Sequence, residues 1–280
     1  MADDRFATMS ARSALNEAAA RFAFSPTARM DAELLLAHAL GIERNALLLD
    51  LDRRVPPGFA ALVERRARHE PVAYITGTRG FWTLDLAVGP GALVPRADSE
   101  TLVEAAVTRL AGRPPATILD LGVGPGTLLL ALLDVWPTAR GLGVDRSAAA
   151  LGYAQRNATR VGGRAQLVQG DWTTAIAGRF DLVVSNPPYV ATDAVLPEEV
   201  SGFEPAGALF AGPDGLDDYR RLAAMLGDVL SPDGLVLLEI GFDQAAAVGH
   251  LLDERGFRTE LHRDLAGHAR VIAATWINAG

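Results

Sequence analysis

Hydrophobic positions in the first 70 residues follow the spacing of amphipathic helices. In the stretch MDAELLLAHALGIERNALLLD, residues 30–50, Leu35, Leu40 and Leu47 group on one side of short helices, and Gly41 marks a break between them. A further helix is predicted in PPGFAALVERRARHE, which two prolines introduce. The pattern predicts that residues 1–70 form a small helical domain, for which a recognition role is more plausible than a catalytic one.

The pattern changes after residue 70. Residues 71–95 hold two short runs rich in β-branched and aromatic residues, VAYITG and FWTLDLAVG, separated by glycine-containing turns. This arrangement predicts a β-hairpin that links two domains.

From residue 96 to residue 280, apolar strand-like runs alternate with amphipathic helices. The predicted strands are ATILDLG, ARGLGVD, RAQLVQGD, FDLVVSN, GLVLLEIG and HARVIAATW. The helix DSETLVEAAVTRLAG precedes them, with Asp98 or Ser99 at its N-cap. This alternation predicts an α/β domain with a doubly wound, mostly parallel, Rossmann-like sheet, whose ligands bind beyond the carboxyl ends of the strands.

A glycine-rich loop joins the first of these strands to the next helix. It reads Gly122-Val123-Gly124-Pro125-Gly126. Glycines allow unusual backbone angles and let a ligand approach the main chain closely. The G-x-G-x-G spacing differs from the G-x-G-x-x-G of dinucleotide sites, so a diphosphate is not the expected ligand. Alone, such a loop is a plain structural turn about as often as a cofactor loop.

Carboxylates and an indole follow the neighbouring strands. Asp120 stands just before the glycine loop, where it favours a cationic group, and Asp145 ends the second strand, where it suits ribose hydroxyls. The third strand is followed by Trp172, which can stack on an adenine. Each feature alone is weak, but together they indicate an adenosine-bearing cofactor with a positive charge and no pyrophosphate. S-adenosylmethionine fits best.

The fourth strand stops on Asn186-Pro187-Pro188-Tyr189. Two prolines remove two backbone donors, so such a corner is either a simple strand terminator or the floor of an active site. Its position beside the glycine loop favours the second interpretation. The Asn186 side chain and the Pro187 carbonyl can accept hydrogen bonds from a planar amide or amine, and Tyr189 offers an aromatic face or a hydroxyl. We interpret the corner as a substrate clamp.

Composition narrows the class of protein. The 280 residues include no cysteine, which excludes thiolate metal sites, and the five scattered histidines suggest no metal or haem site. The N-terminus resembles no signal peptide and no apolar run is long enough for a membrane helix, so we expect a cytoplasmic protein. A net charge of -8 argues against a broad nucleic-acid-binding surface.

Several stretches resemble the HemK/PrmC family, the N5-glutamine methyltransferases of class-1 peptide-chain release factors. They cover roughly residues 30 to 275 in order and are EPVAYITGTRGFW, LVPRADSE, ILDLGVGPGTLLLALL, AQRNA, GDW, FDLVVSNPPYV, FEP followed by AL, GPDGLDDYR and LAGHARV. The Asn-Pro-Pro-Tyr corner itself is shared more widely, by methyltransferases that act on adenine, on guanine in ribosomal RNA and on glutamine.

The resemblance implies a class I methyltransferase domain, preceded by a helical substrate-recognition domain and a hairpin linker. It implies S-adenosylmethionine as the cofactor, leaving as S-adenosylhomocysteine, and the glutamine of the release-factor Gly-Gly-Gln loop as the methyl acceptor. Cofactor binding is carried over onto residues 122–126, Asp145, Trp172 and Asn186, with Asp145 on the ribose and Trp172 on the adenine. Glutamine binding and catalysis are carried over onto the Asn186–Tyr189 corner.

The loop departs from the family where Val123 and Pro125 replace the usual Thr and Thr or Ser, and Ala97 replaces a common Pro. Arg96 and Glu100 either shape the mouth of the pocket or form a structural ion pair. We expect a monomer that binds release factor transiently and binds no nucleic acid. Two alternatives stay open: an N6-adenine or N2-guanine nucleic-acid methyltransferase, and a binding module without catalytic activity.

Overall fold

A computed structural model describes residues 6–174 and 176–277. The chain divides into two compact units. One contains the residues up to Gly77 together with the short segment Pro197–Phe203, and the other contains Thr78–Leu196 and the residues from Glu204 onward. The hairpin therefore belongs to the second unit.

The first unit is a bundle of short helices. They are α1 (Ala11–Arg21), α2 (Ala28–Leu40), α3 (Arg44–Leu49), α4 (Phe59–Ala67) and α5 (Val72–Thr76). Apolar residues from each helix share one core, in which the rings of Phe6 and Phe59 meet edge to face with centroids 5.1 Å apart. The predicted helical nature of this region is confirmed.

The prediction that VAYITG forms the first strand of the hairpin is wrong. Residues Val72–Thr76 form α5, which begins after Pro71 and ends at Gly77, whose φ of 77° is left-handed. Its Ile75 side chain packs into the core of the helical unit. Burial of this apolar residue outweighs the strand propensity of the sequence, because the β preference of such residues depends strongly on their surroundings. The hairpin strands are instead β1 (Thr78–Phe81) and β2 (Leu84–Ala87), which pair antiparallel.

The segment Pro197–Phe203 joins the helical unit although it lies far along the chain. It contains the short helix α9 (Glu198–Ser201). The buried Arg66 guanidinium contacts Glu199 at 2.8 Å and Asp31 at 2.8 Å. An arginine buried in this way needs partners for its charge, and these two carboxylates supply them.

The second unit is built on a seven-stranded sheet with the order β5-β4-β3-β6-β7-β9-β8. Its strands are β3 (Thr117–Leu121), β4 (Arg140–Asp145), β5 (Ala165–Gln169), β6 (Phe180–Ser185), β7 (Leu230–Glu239), β8 (Phe257–Arg263) and β9 (Ala269–Trp276). The first five strands in this order are parallel, and β9 and β8 add an antiparallel edge. The strand order reverses between β3 and β6, which makes their carboxyl ends the topological switch point.

Helices cover both faces of this sheet. They are α6 (Glu100–Arg109), α7 (Thr127–Val135), α8 (Ala148–Ala158), α10 (Asp217–Val229) and α11 (Ala245–Asp253). Successive residues of a strand point to opposite faces, so Leu182 and Val184 join one core while Val183 joins the other. The predicted doubly wound α/β architecture is confirmed.

Two details of this unit differ from the prediction. β8 was not predicted, because FRTELHR at the sheet edge has only two apolar residues, Phe257 and Leu261, with three polar residues between them. Ser99 stands at the N-cap of α6, but its side chain makes no cap hydrogen bond. A 3-10 turn over Ala97–Ser99 leads into the helix and leaves the hydroxyl for another contact.

Among the described residues, no helix is both long enough and apolar enough to cross a membrane.

Candidate active site

The glycine loop closes tightly between β3 and α7. The N–H groups of Gly122 and Val123 both donate to the Val144 carbonyl, at 2.8 and 2.9 Å. Gly126 has a φ of 94°, and a Cβ there would lie 2.7 Å from the Leu130 side chain. Glycine is therefore required at the point where the loop turns into the helix.

Asp145 is fixed at the carboxyl end of β4. One carboxylate oxygen accepts a hydrogen bond from the Gly124 N–H at 2.8 Å, and the other accepts one from the Ser147 N–H at 2.8 Å. Each oxygen keeps a second lone pair. The carboxylate thus holds the loop and the start of α8 together, and it can still accept from hydroxyl groups in the adjoining cavity.

Trp172 follows β5 and has a backbone φ of 50°. A bulky residue in the left-handed region is strained, and such strain is typical of functional sites. A Cβ added to Gly122 would lie 3.4 Å from the indole ring, so the glycine gives the ring its space. Burial raises the pKa of the neighbouring Asp218 carboxyl, although Arg221 and a hydrogen bond with Trp172 lower it.

Asp120 lies at the floor of the site and is almost fully buried. Its carboxylate accepts a hydrogen bond from the Leu129 N–H at 3.0 Å, in the first turn of α7. Burial raises the pKa of Asp120 to about 7; this hydrogen bond lowers it, and the charge of Asp145 adds to the rise. A cation bound nearby would favour the ionised form.

The Asn186–Tyr189 corner follows β6 and is held from several sides. The Asn186 side chain donates from Nδ2 to Ser99 Oγ at 3.2 Å. The Gln244 side chain donates from Nε2 to the carbonyls of Tyr189, at 3.0 Å, and Gly215, at 3.2 Å. Burial raises the pKa of the Tyr189 phenol, so this group is neutral at physiological pH. The corner is rigid and carries neutral polar groups.

A single cavity of the second unit collects most of the predicted residues. Its lining includes residues 122–125, Asp145, Trp172, Asn186 and Pro188. Of the other predicted residues, Gly126, Pro187 and Tyr189 are outside the lining found among the described residues. Gly126 forms the turn from the glycine loop into α7. Pro187 and Tyr189 belong to the same corner as the lining residues Asn186 and Pro188.

Two walls of this cavity were not predicted as part of the site. One is the segment Gly91–Arg96, and the other contains Pro205, Gly207 and Ala208. The Arg146 side chain, which also lines the cavity, donates to the carbonyl of Gly207. Each wall overlaps a stretch that carries the family resemblance, LVPRADSE for the first and FEP followed by AL for the second, and this was the available signal.

Arg96 and Glu100 do not pair with each other. The Arg96 guanidinium, which lines the cavity, pairs with the buried Glu204 carboxylate, and Glu204 also accepts from the Val94 N–H at 3.0 Å. Glu100 accepts from the N–H of Trp82 in the hairpin at 2.9 Å. Both residues therefore hold chain segments in place, and Arg96 does so at the cavity.

The polar and aromatic groups present at the cavity fit S-adenosylmethionine. The Asp145 oxygens are suited to ribose hydroxyls, the Trp172 indole offers a flat face to an adenine, and the buried Asp120 offers negative charge to a cationic group. The space above Gly124 is open, since a Cβ built there meets no heavy atom within 4 Å. A ligand can approach this part of the loop closely.

Comparison with known proteins identifies two family domains. The PrmC N-terminal domain matches residues 13–77, and the methyltransferase small domain matches residues 97–203. The chain shares the fold of a methyltransferase from Pyrococcus furiosus, with a TM-score of 0.54 and 19% identity over 75% of this chain and 96% of that one.

Two relatives are similar over nearly the whole chain. The release factor glutamine methyltransferase of Rhodospirillum rubrum is 47% identical over 90% of this chain and 80% of that protein. The protein of the same name from Cereibacter sphaeroides is 42% identical over 95% of this chain and 98% of that protein. The resemblance noted in the sequence is thereby confirmed, and the chain belongs to the release factor glutamine methyltransferase family.

Proposed function

We propose that this protein transfers a methyl group from S-adenosylmethionine to the side-chain amide nitrogen, N5, of the glutamine in the Gly-Gly-Gln loop of class-1 peptide-chain release factors. The observation that carries the proposal is that Asn186 and Pro188 of the corner line the same cavity as Asp145 and Trp172. Groups suited to an amide and groups suited to an adenosine therefore face one space.

Bound S-adenosylmethionine supplies an electrophilic methyl group on a sulfonium. Asp145 holds the ribose through its carboxylate, and Trp172 stacks on the adenine. Residues 122–125 line the cavity and would hold the rest of the cofactor, and Asn186, which lines the same cavity, would lie beside both cofactor and substrate. The buried Asp120 favours the positive charge of the cofactor, because opposite charges attract strongly where water is excluded.

The corner binds and aims the glutamine amide. An amide nitrogen is a weak nucleophile because its lone pair is delocalised, so orientation carries most of the catalytic effect. The Asn186 side-chain carbonyl and the Pro187 main-chain carbonyl accept the two N–H groups, and the Tyr189 ring lies against the planar amide. With the cofactor bound, the amide held by these residues would take the methyl group from the sulfonium, which would leave as the neutral thioether, and the nitrogen would release its proton to solvent. No strong base is needed.

The proposed acceptor is a protein loop. A net charge of -8 disfavours binding to nucleic acid, and the two relatives are named for methylation of a release-factor glutamine. We infer that the helical unit contributes to recognition of the release factor. A monomeric, cytoplasmic enzyme that binds no nucleic acid completes the proposal.

A nucleic-acid amino group is the alternative acceptor, because the Asn-Pro-Pro-Tyr corner suits an adenine or guanine amine equally well. The test is incubation of the enzyme with methyl-labelled cofactor and an equimolar mixture of release factor, RNA and DNA. We expect label in the release factor and none in the nucleic acids. Label in RNA or DNA alone would contradict the proposal.

A further inference from the structure

Glu239 is a buried carboxylate beside the corner that the proposed mechanism does not use. It ends β7, the neighbour of β6, and the register pairs Ser185 with Leu238. Asn186 and Glu239 are the next residues of these two parallel strands. Glu239 is only 1% exposed, and among the described residues its Oε2 has no hydrogen-bond partner. Burial of a carboxylate with an unpaired oxygen lowers the stability of the fold, which suggests that the residue serves a function.

The side chains of Ser99, Asn186 and Glu239 form one polar cluster. Asn186 Nδ2 donates to Ser99 Oγ at 3.2 Å, so the hydroxyl already accepts one hydrogen bond. The Glu239 carboxyl interacts with both Ser99 and Asn186. A serine hydroxyl has one proton to donate, and an ionised carboxylate can only accept. The cluster therefore runs in one direction, from the Asn186 amide through the Ser99 hydroxyl to Glu239.

This direction matters because the two ends of an asparagine side chain have nearly the same shape and opposite hydrogen-bonding character. If Nδ2 is held by the cluster, Oδ1 is the end left to accept an N–H of the substrate. A reversed side chain would present a donor to the substrate amide instead. That arrangement repels the N–H group that must be held.

We propose that Glu239 is a positioning residue that fixes the orientation of the Asn186 side-chain amide, acting directly and through Ser99, so that the Asn186 carbonyl is presented to the methyl acceptor. This inference rests on the proposed function, since it concerns the same corner. It assigns the Asn186 orientation to a carboxylate outside the Asn-Pro-Pro-Tyr motif.

The ionisation of Glu239 is set by its surroundings. Burial raises its pKa to about 7, whereas Ser99, the Arg270 charge and Asn186 lower it and the charge of Asp98 raises it. The Tyr189 and Tyr219 phenols also face it, and Tyr219 donates to the Glu239 main-chain carbonyl at 2.8 Å. Above pH 7 the carboxylate only accepts. Below it, the protonated carboxyl can also donate, and the Asn186 orientation is no longer fixed.

The test compares the full-length wild-type enzyme with Glu239→Gln, measuring methylation of release factor from pH 5.5 to 9 and cofactor binding by calorimetry. The variant keeps the side-chain size but cannot ionise. We expect kcat to fall by about 10- to 100-fold, the effect of leaving one buried N–H group of the substrate without its acceptor. We also expect the loss of activity below about pH 7 to disappear, while the cofactor dissociation constant stays within about twofold.

Two further variants sharpen the result. Glu239→Asp keeps a carboxylate and is expected to retain the acid limb of the pH profile. Asp264→Asn is the matched control, because Asp264 contacts the same Arg270 guanidinium, at 3.1 Å, and is not among the groups that act on Glu239. The Asp264 carboxylate accepts from the N–H groups of Ala266 and His268, and among the described residues no contact joins it to Asn186 or Glu239, so the variant is expected to leave kcat within about twofold of the wild type.

The outcomes separate this inference from the proposed function. A wild-type enzyme that does not methylate release factor overturns the proposed function. A wild-type enzyme that does so, with a Glu239→Gln variant of equal kcat and an unchanged pH profile, overturns the inference. A parallel loss of cofactor binding and melting temperature in Glu239→Gln also overturns it, because it assigns Glu239 a purely structural role.

Discussion

The side-chain amide of Asn157 donates a hydrogen bond to the carbonyl of Pro125, at 2.8 Å, within the glycine loop. The same amide nitrogen donates to the Ala87 carbonyl at 3.0 Å, and its oxygen accepts from the Ala87 N–H at 2.8 Å. One buried side chain of α8 thus ties the glycine loop to the hairpin strand β2. The AQRNA stretch of the family resemblance has a structural explanation in this contact.

Replacing Asn157 by alanine is expected to lower the free energy of unfolding by about 2 to 4 kcal/mol, because three main-chain hydrogen bonds are lost in the interior. Urea denaturation followed by circular dichroism measures the change. Asn45→Ala is the control, since Asn45 is exposed on α3 and its loss is expected to cost little. Equal stability of the two variants would contradict this role for Asn157.

Asp145→Asn is expected to weaken binding of S-adenosylmethionine by about 10- to 100-fold, because a charge-assisted contact is worth about 1.5 to 3 kcal/mol. Calorimetric titration gives the dissociation constant. The matched control is Asp181→Asn: Asp181 also accepts from main-chain N–H groups, those of Ala116 and Thr117 at 2.8 and 3.0 Å, but lies at the other end of the sheet. It is expected to lose stability and keep cofactor affinity. The reverse pattern would be evidence against the ribose assignment.

Trp172→Ala is expected to weaken cofactor binding by roughly tenfold or more, since stacking of a base on an aromatic ring contributes about 1 to 3 kcal/mol. Trp172→Phe keeps a ring and is expected to lose less. Trp82→Ala is a fitting control, because Trp82 also has a left-handed backbone, with a φ of 55°, but lies in the hairpin. If Trp172→Ala binds S-adenosylmethionine with unchanged affinity, the proposal that the indole stacks on the adenine is wrong.

Asp120 gives the protein a pH-dependent stability. Its pKa is raised to about 7 in the folded state, so the folded protein holds a proton that the unfolded chain has already released above about pH 4. Stability from this group is therefore full below pH 4 and is lost as the pH rises toward 7. From pH 5 to pH 7 the free energy of unfolding is expected to fall in the wild type by about 2 kcal/mol more than in Asp120→Asn, which has no carboxyl group at this position. Denaturation curves at the two pH values test this, and equal losses in both proteins would argue against a protonated Asp120.

The sequence predicted the sheet and the cavity well because their signals are local. Strands β3 and β6 are short and mostly apolar, and β4 fits the alternation of strands and helices. The residues at their carboxyl ends reach the cavity because parallel strands end at one edge. Asp145, Trp172 and Asn186 were therefore identified from their positions relative to predicted strands.

The errors arise where distant contacts decide. The segment VAYIT is helical because Ile75 packs into the core of the helical unit. The Ser99 side chain does not cap α6 and instead accepts a hydrogen bond from Asn186, 87 positions further along the chain. The wall Gly91–Arg96 is a loop, and the wall of Pro205, Gly207 and Ala208 includes a single 3-10 turn, so neither has a periodic pattern to predict it. Contacts between residues distant in the sequence, such as Arg96 with Glu204 and Arg146 with Gly207, hold these segments in place.

The central claim is that a glutamine amide nitrogen of a release factor receives the methyl group at this corner. The most direct measurement is tandem mass spectrometry of the tryptic peptide that contains the Gly-Gly-Gln loop, after incubation with cofactor and either the wild-type enzyme or Asn186→Ala. We expect one added methyl group, located on the glutamine side chain, with the wild-type enzyme and almost none with the variant. An unmodified glutamine with active, cofactor-binding enzyme, or full methylation by Asn186→Ala, would contradict the account.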